Sequence, residues 1–157
     1  SWFSAFAMLL NYQRFGKMPA MCTVVEWSVR DESQHAEGMA KLFRAFCEEH
    51  PRIVNDEFKK SIYEMFRTAV KLEDKVIDLA YEMGDLEGLT AADVKQYIRY
   101  LADRRLLQLG LKTNWKVKEN PLPWMEELLG GSSISNFFEK RVTDYNAHGL
   151  EGDDWGW

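Results

Sequence analysis

The sequence predicts an all-α protein: part of a helical bundle followed by an extended carboxy-terminal tail. Three observations predict it. Apolar residues recur three and four positions apart through four long segments, the period that puts them on one face of a helix. Those segments begin and end at capping and breaking residues. No convincing run alternates apolar and polar residues at the period of two that a half-buried strand needs. The 157 residues suit one domain, with residues 1–129 as the bundle and 130–157 as the tail.

Trp2, Phe6, Leu9 and Leu10 share one face of the first helix. Ser1 can cap it, yet the apolar pattern is already running at residue 2, so this helix is expected to be the latter part of a longer one. Gly16 and Pro19 break the pattern. A long helix follows from about Ala20 to Glu49, and Pro51 ends it. Asn55 is the expected cap of the third helix, with Asp56 and Glu57 favouring the positive end of its dipole. Its expected apolar stripe is Phe58, Ile62, Phe66, Ala69, Val76 and Ala80, closed by Gly84. Thr90 and Asp93 have the spacing of a capping box for the fourth helix. Val94, Tyr97, Ile98, Leu101, Leu106 and Leu109 recur along it, and Gly110 ends it. Asn120-Pro121-Leu122-Pro123 reads as extended, because proline restricts the residue before it. Trp124 to Leu129 allow one or two helical turns. Beyond Gly130 come Gly, Ser, Asn and Asp with scattered aromatics, a composition expected to wait for a partner.

Composition narrows the function classes. Hydrophobic residues are 46 % and charged residues 29 %, with a formal net charge of −5. The longest charged cluster with a basic character is Asp103-Arg104-Arg105, so nucleic acid is not an expected partner. Cys22 and Cys47 lack metal or redox spacing and read as packed, reduced thiols, which fits a cytoplasmic setting. Ser1 to Leu10 has no basic leader, and no stretch approaches ~20 uncharged apolar residues, so no membrane span is expected. No phosphate-cradling glycine loop is visible, so no nucleotide site is expected.

The chemistry centres on Arg30-Asp31-Glu32-Ser33-Gln34-His35. Glu32 and His35 are three residues apart on a helix and face the same way. That spacing lets a carboxylate and an imidazole share one metal ion, and two such pairs with further carboxylates build the di-metal centre of helical bundles. A solvated glutamate beside a surface histidine is the plain alternative. Val24, Val25, Trp27, Val29, Met39, Leu42 and Phe43 surround the motif, which places it inside a packed bundle, where a carboxylate needs a cation. Glu73 interrupts the apolar stripe of the third helix. It reads as a buried carboxylate satisfied by an arginine or a hydroxyl, or as a support of the metal site.

Trp27-Ser28-Val29-Arg30-Asp31-Glu32-x-x-His35 resembles the late metal-ligand helix of the small subunit of class I ribonucleotide reductases. Gln96-Tyr97-Ile98-Arg99-Tyr100-x-Ala102-Asp103-Arg104 resembles the family's following helix. Asn120-Pro121 with Trp124-Met125-Glu126 is similar to its segment before the tail, and Asn136 to Tyr145 to the tail itself. The motifs fall in family order across the whole chain. The resemblance implies a ferritin-like bundle with Glu32 and His35 as metal ligands. It places Asp31 in the hydrogen-bonded chain that leads from the metals to the radical-transfer route, and Trp2 and Phe6 against the radical pocket. Tyr145 would pass the radical equivalent to the large subunit, assisted by Glu139. Trp155 and Trp157 are candidate docking anchors, since aromatic residues dominate interface hot spots.

The implied cofactor is a dinuclear metal centre, di-iron first, with manganese–iron or dimanganese as alternatives. The implied activity is that of the radical-generating subunit in the reduction of ribonucleotides to deoxyribonucleotides. The family's ligand set holds four carboxylates and two histidines, and this chain supplies Glu32 and His35. One further ligand glutamate would fall just before Ser1. His50, beside Pro51, and His148, in the tail, do not fill the set. The expected partners are therefore an amino-terminal half of the subunit, a second small-subunit copy and the large subunit. Two other readings stay open: a metal-free partner that docks the large subunit through its tail, and a self-paired di-metal oxidase.

Overall fold

The structure, a computed structural model, describes residues 3–130. Five helices follow one another: α1 (Phe3–Arg14), α2 (Pro19–Glu49), α3 (Asp56–Ala80), α4 (Ala91–Gln108) and α5 (Pro123–Gly130). A single 3-10 turn, Pro51–Ile53, separates α2 from α3. The described residues hold no strand, only an isolated bridge between Leu86 and Leu89. α1 packs on α2 and α4, α3 packs on α4, and α2 also touches α5.

The boundaries follow local chemistry. The reversal between α1 and α2 uses two left-handed residues, Gly16 at φ +65° and Met18 at φ +50°. Pro19 then opens α2, where its missing N–H costs nothing. At the start of α3 the Asn55 Oδ1 accepts the Phe58 N–H at 2.9 Å, with Asp56 and Glu57 in the first turn. The Thr90–Asp93 capping box closes reciprocally at 3.2 and 3.0 Å. Gly88, at φ +66°, lies against Phe15, whose Cζ would sit 3.0 Å from an added Cβ. Only glycine suits both that backbone and that contact.

Ala7, Leu10, Val29, Ile77, Val94, Leu106 and Met125 are fully buried. A forked ion pair ties α3 to α4: the Arg99 guanidinium donates to both Asp74 carboxylate oxygens at 2.9 and 2.7 Å. Asp103 is buried at the other end of α4. Its carboxylate accepts three backbone N–H groups, from Asn114 at 2.7 Å, Trp115 at 2.9 Å and Val117 at 2.9 Å. It thereby folds the strand-free connection onto the bundle.

The structure corrects two expected faces. On α1 the buried positions are Phe3, Ser4, Ala7, Leu10 and Asn11, while Phe6 and Leu9 are half-buried. On α3 the buried positions are Ile62, Val70 and Ile77, whereas Ala69, Val76 and Ala80 are exposed. Helix α3 ends at Ala80, so Gly84 belongs to the turn beyond. In both helices apolar residues occupy more than one face, and the apolar pattern alone cannot say which face the neighbours take.

Candidate metal site

Helix α2 carries the Glu32–His35 pair. One side of it is the core side: Cys22, Val25, Val29 and Ala40 are buried. The opposite side presents Val24, Asp31, Glu32, His35, Met39, Leu42 and Phe46, all exposed. The sequence places the motif inside a packed bundle, and here the structure differs. Glu32 and His35 do share a face, but the described residues leave that face open. The cause is that α2 is apolar on two sides, and α1, α4 and α5 cover one. Val24 is 57 %, Met39 64 % and Leu42 62 % exposed, so the ligand pair sits midway along an uncovered apolar stripe.

Other polar groups nearer the core side of α2 are engaged. Glu26 accepts from the Gln13 amide at 2.7 Å and pairs with Arg30 at 3.5 Å, so this carboxylate serves the packing of α1 on α2. The Cys22 thiol lies 3.7 Å from the Leu9 and Lys17 carbonyls, and burial pushes its pKa up. Both cysteines are free thiols. His50 is exposed at the end of α2, with its ring 4.7 Å from Phe46.

Glu32 and His35 supply an oxygen and a nitrogen donor one helical turn apart, a set that suits iron or manganese. Among the described residues no three histidine, cysteine or carboxylate side chains gather to hold an ion. The pair therefore fits part of a metal's coordination. Phe6, expected against the radical pocket, is half-buried and meets Phe3 edge-on at 5.7 Å. Trp2, Glu139, Tyr145, Trp155 and Trp157 lie outside the described residues. Glu73 proves to be satisfied by a hydroxyl, as the Ser4 Oγ donates to its carboxylate. That link joins α3 to α1.

Sequence reasoning missed Asp103 as an organising carboxylate, since beside Arg104 and Arg105 it reads as surface charge. It missed the hub at Arg14 as well. The Arg14 guanidinium donates to Asn11 at 2.8 Å and to the Gly88 carbonyl at 3.0 Å, and it stacks over Trp124 at 4.9 Å. Neither arrangement has a sequence signal, because the Asp103 partners lie beyond the end of its helix and Arg14 reaches Gly88 and Trp124 across the fold.

An all-helical body with a glutamate–histidine pair three residues apart has the helical content and donor spacing of the carboxylate bundles that hold metals. A model of the family "Ribonucleotide reductase, small chain" matches residues 1–121, and the chain belongs to that family. It is 43 % identical over 156 residues to a probable ribonucleoside-diphosphate reductase small subunit of Invertebrate iridescent virus 3, covering 99 % of this chain and 41 % of that protein. The subunit beta of Chlamydia pneumoniae is 34 % identical over 94 % of this chain and 42 % of its own length. Among solved structures, a ribonucleotide reductase R2 subunit from Clostridium botulinum superposes with a TM-score of 0.77 at 25 % identity, over 82 % of this chain and 40 % of that one. A putative class I ribonucleotide reductase from Bacillus halodurans superposes with a TM-score of 0.75 at 28 % identity, over 81 % and 45 %. The fold is thus the ferritin-like fold of these small subunits, and the chain spans about two fifths of the length of the relatives it matches. No helix of the described residues is long and apolar enough to cross a membrane.

Proposed function

We propose that this chain is the part of a ribonucleotide reductase small subunit that presents one glutamate–histidine pair of a dinuclear metal centre, with the remaining ligands supplied by an amino-terminal half. One observation carries the reading. Glu32 and His35 sit in the middle of an exposed apolar face, between Val24 on one side and Met39, Leu42 and Phe46 on the other. A solvated ion-pair surface has no need of such flanks, and large exposed apolar patches mark contact surfaces. Once that face is covered, the Glu32 carboxylate loses its water and requires a cation or donors in exchange.

In the covered site Glu32 contributes a carboxylate oxygen and His35 an imidazole nitrogen. Asp31, next to the pair, holds the proton at the start of the route out of the site. Iron or manganese held by these residues, with oxygen as the oxidant, would supply the oxidising equivalent that the large subunit uses to reduce ribonucleotides to deoxyribonucleotides. Tyr145, assisted by Glu139, relays the radical equivalent across the subunit contact, and Trp155 and Trp157 anchor the tail on the large subunit. A second small-subunit copy completes the assembly. The setting is the cytoplasm.

Metal content tests this reading. Two ligands cannot complete either coordination sphere, and affinity falls steeply with ligand loss, so the chain alone should bind metal substoichiometrically. Assembled with an amino-terminal half, it should hold about two metals per subunit. Tight binding of two metals by this chain alone would favour the self-paired oxidase, and an assembled subunit without metal would favour the docking partner.

A further inference from the structure

Helix α5 is the element from which the carboxy-terminal tail departs. It has eight residues, Pro123–Gly130, too few for a helix to persist in water on propensity alone. Its contacts hold it. Met125 is fully buried, Leu122 just before the helix is 4 % exposed, and Leu128 packs on the same core. The Arg14 guanidinium lies over the Trp124 ring at 4.9 Å, which ties α5 to α1. Glu126 accepts the Tyr100 hydroxyl at 3.1 Å, which ties it to α4. Helix α5 also packs on α2, the helix that carries Glu32 and His35. One short helix is thus fastened to three helices of the bundle.

This fastening decides where the tail begins. Upstream of α5 and its Leu122 flank, the chain is held at Val117, whose N–H donates to the Asp103 carboxylate at 2.9 Å. Downstream, Gly130-Gly131-Ser132-Ser133 offers no apolar side chain to pack. Tyr145 lies 15 residues beyond Gly130 and 28 beyond Val117. Detachment of α5 would therefore nearly double the tether that leads to Tyr145. The effective concentration of a group on a tether of linker composition falls roughly as the −3/2 power of its length, so it would drop about 2.5-fold.

We propose that α5 is a clasp that positions the tail. Trp124, held by Arg14, and Glu126, held by Tyr100, fix the origin of the tail against the helix that bears the metal pair and keep Tyr145 on a short tether. Trp124 and Glu126 are positioning residues, since they act through the tether. The inference deepens the relay proposed above and rests on it for the role of Tyr145; the clasp itself rests on the contacts of α5.

The test uses the full chain assembled with an amino-terminal half and the large subunit, read by amide hydrogen exchange, metal content and turnover. Trp124→Ala should speed exchange across residues 123–130 by about 10-fold or more while α1 to α4 keep their protection. It should hold its metals and lower turnover about 2.5-fold. Trp124→Phe keeps a ring beside Arg14 and should restore both readouts. Gly-Ser repeats inserted after Gly130, lengthening the tether to the same 28 residues, should lower turnover equally while α5 stays protected. The insertion alters no contact of α5, so matching losses assign the effect to tether length. Tyr100→Phe removes a single hydroxyl and should speed exchange of α5 on a smaller scale. Unchanged exchange in Trp124→Ala overturns the clasp, as does loss of protection throughout the bundle with no local loss in Tyr100→Phe. Unchanged turnover in both Trp124→Ala and the insertion overturns the positioning role. If Tyr145→Phe turns over normally, the relay falls, and hydrogen exchange still decides the clasp.

Discussion

Replacing both candidate ligands, Glu32→Ala with His35→Ala, should separate metal binding from folding. Among the described residues neither side chain buries its surface, and neither is seen to make a hydrogen bond or ion pair. Exposed substitutions of this kind usually change stability by no more than about 0.5 kcal/mol. Alanine is also the better helix former, by up to ~0.7 kcal/mol per residue. The double variant should therefore unfold in urea at the same or a slightly higher midpoint than the unmodified chain. Val29→Ala is the control, on the opposite side of the same helix and 0 % exposed. It removes two buried carbons at ~0.8 kcal/mol each and leaves a small cavity, for a loss of about 2 kcal/mol. In the assembled subunit the order reverses. The ligand variant should lose more than ~100-fold in metal affinity, beyond the 10–100-fold that loss of a supporting group costs, and with it radical formation, whereas Val29→Ala should keep its metals. The reasoning is refuted if the ligand variant is destabilised as much as Val29→Ala, which would make the pair part of the fold, or if it retains two metals and turnover.

Asp103→Ala should strand three part-buried backbone N–H groups and cost about 3 kcal/mol; Asp103→Asn keeps an acceptor and should cost less, and thermal unfolding of the two variants checks the order. Burial raises the Tyr81 hydroxyl to about 12 and pushes Tyr97 upward as well. The unfolded chain then loses these protons first, so stability should be full below pH ~10 and fall as pH climbs toward 12. Urea titrations of Tyr81→Phe across that window should show a shallower fall. Tyr145→Phe should bind the large subunit and assemble metals normally but make no deoxyribonucleotide, whereas truncation after Gly130 should abolish binding; turnover at the unmodified rate by Tyr145→Phe would remove this tyrosine from the relay.

Local chemistry was legible in the residues. Caps and breakers act over one helical turn, so Pro19, Asn55 and the Thr90–Asp93 box set the starts of α2, α3 and α4 without help from the rest of the molecule, while Pro123, expected as extended, is the first residue of α5. The Glu32–His35 spacing likewise fixes that the two donors share a helix face, because three residues nearly complete a turn. The order of the motifs carried the family. What the sequence alone could not determine is which apolar face meets which neighbour. Helices α1, α2 and α3 are apolar on more than one side, and the period of a pattern says nothing about the direction it faces once two faces share it. Only the packing of α4 against α1 and α3 decided that Val70 and Ile77 turn inward while Val76 and Leu79 turn out, and that the ligand face of α2 stays uncovered. The same holds for Asp103, Arg14 and the Ser4–Glu73 link, whose partners meet only after long loops close. Their contacts are set by distance in space, which local propensity does not encode.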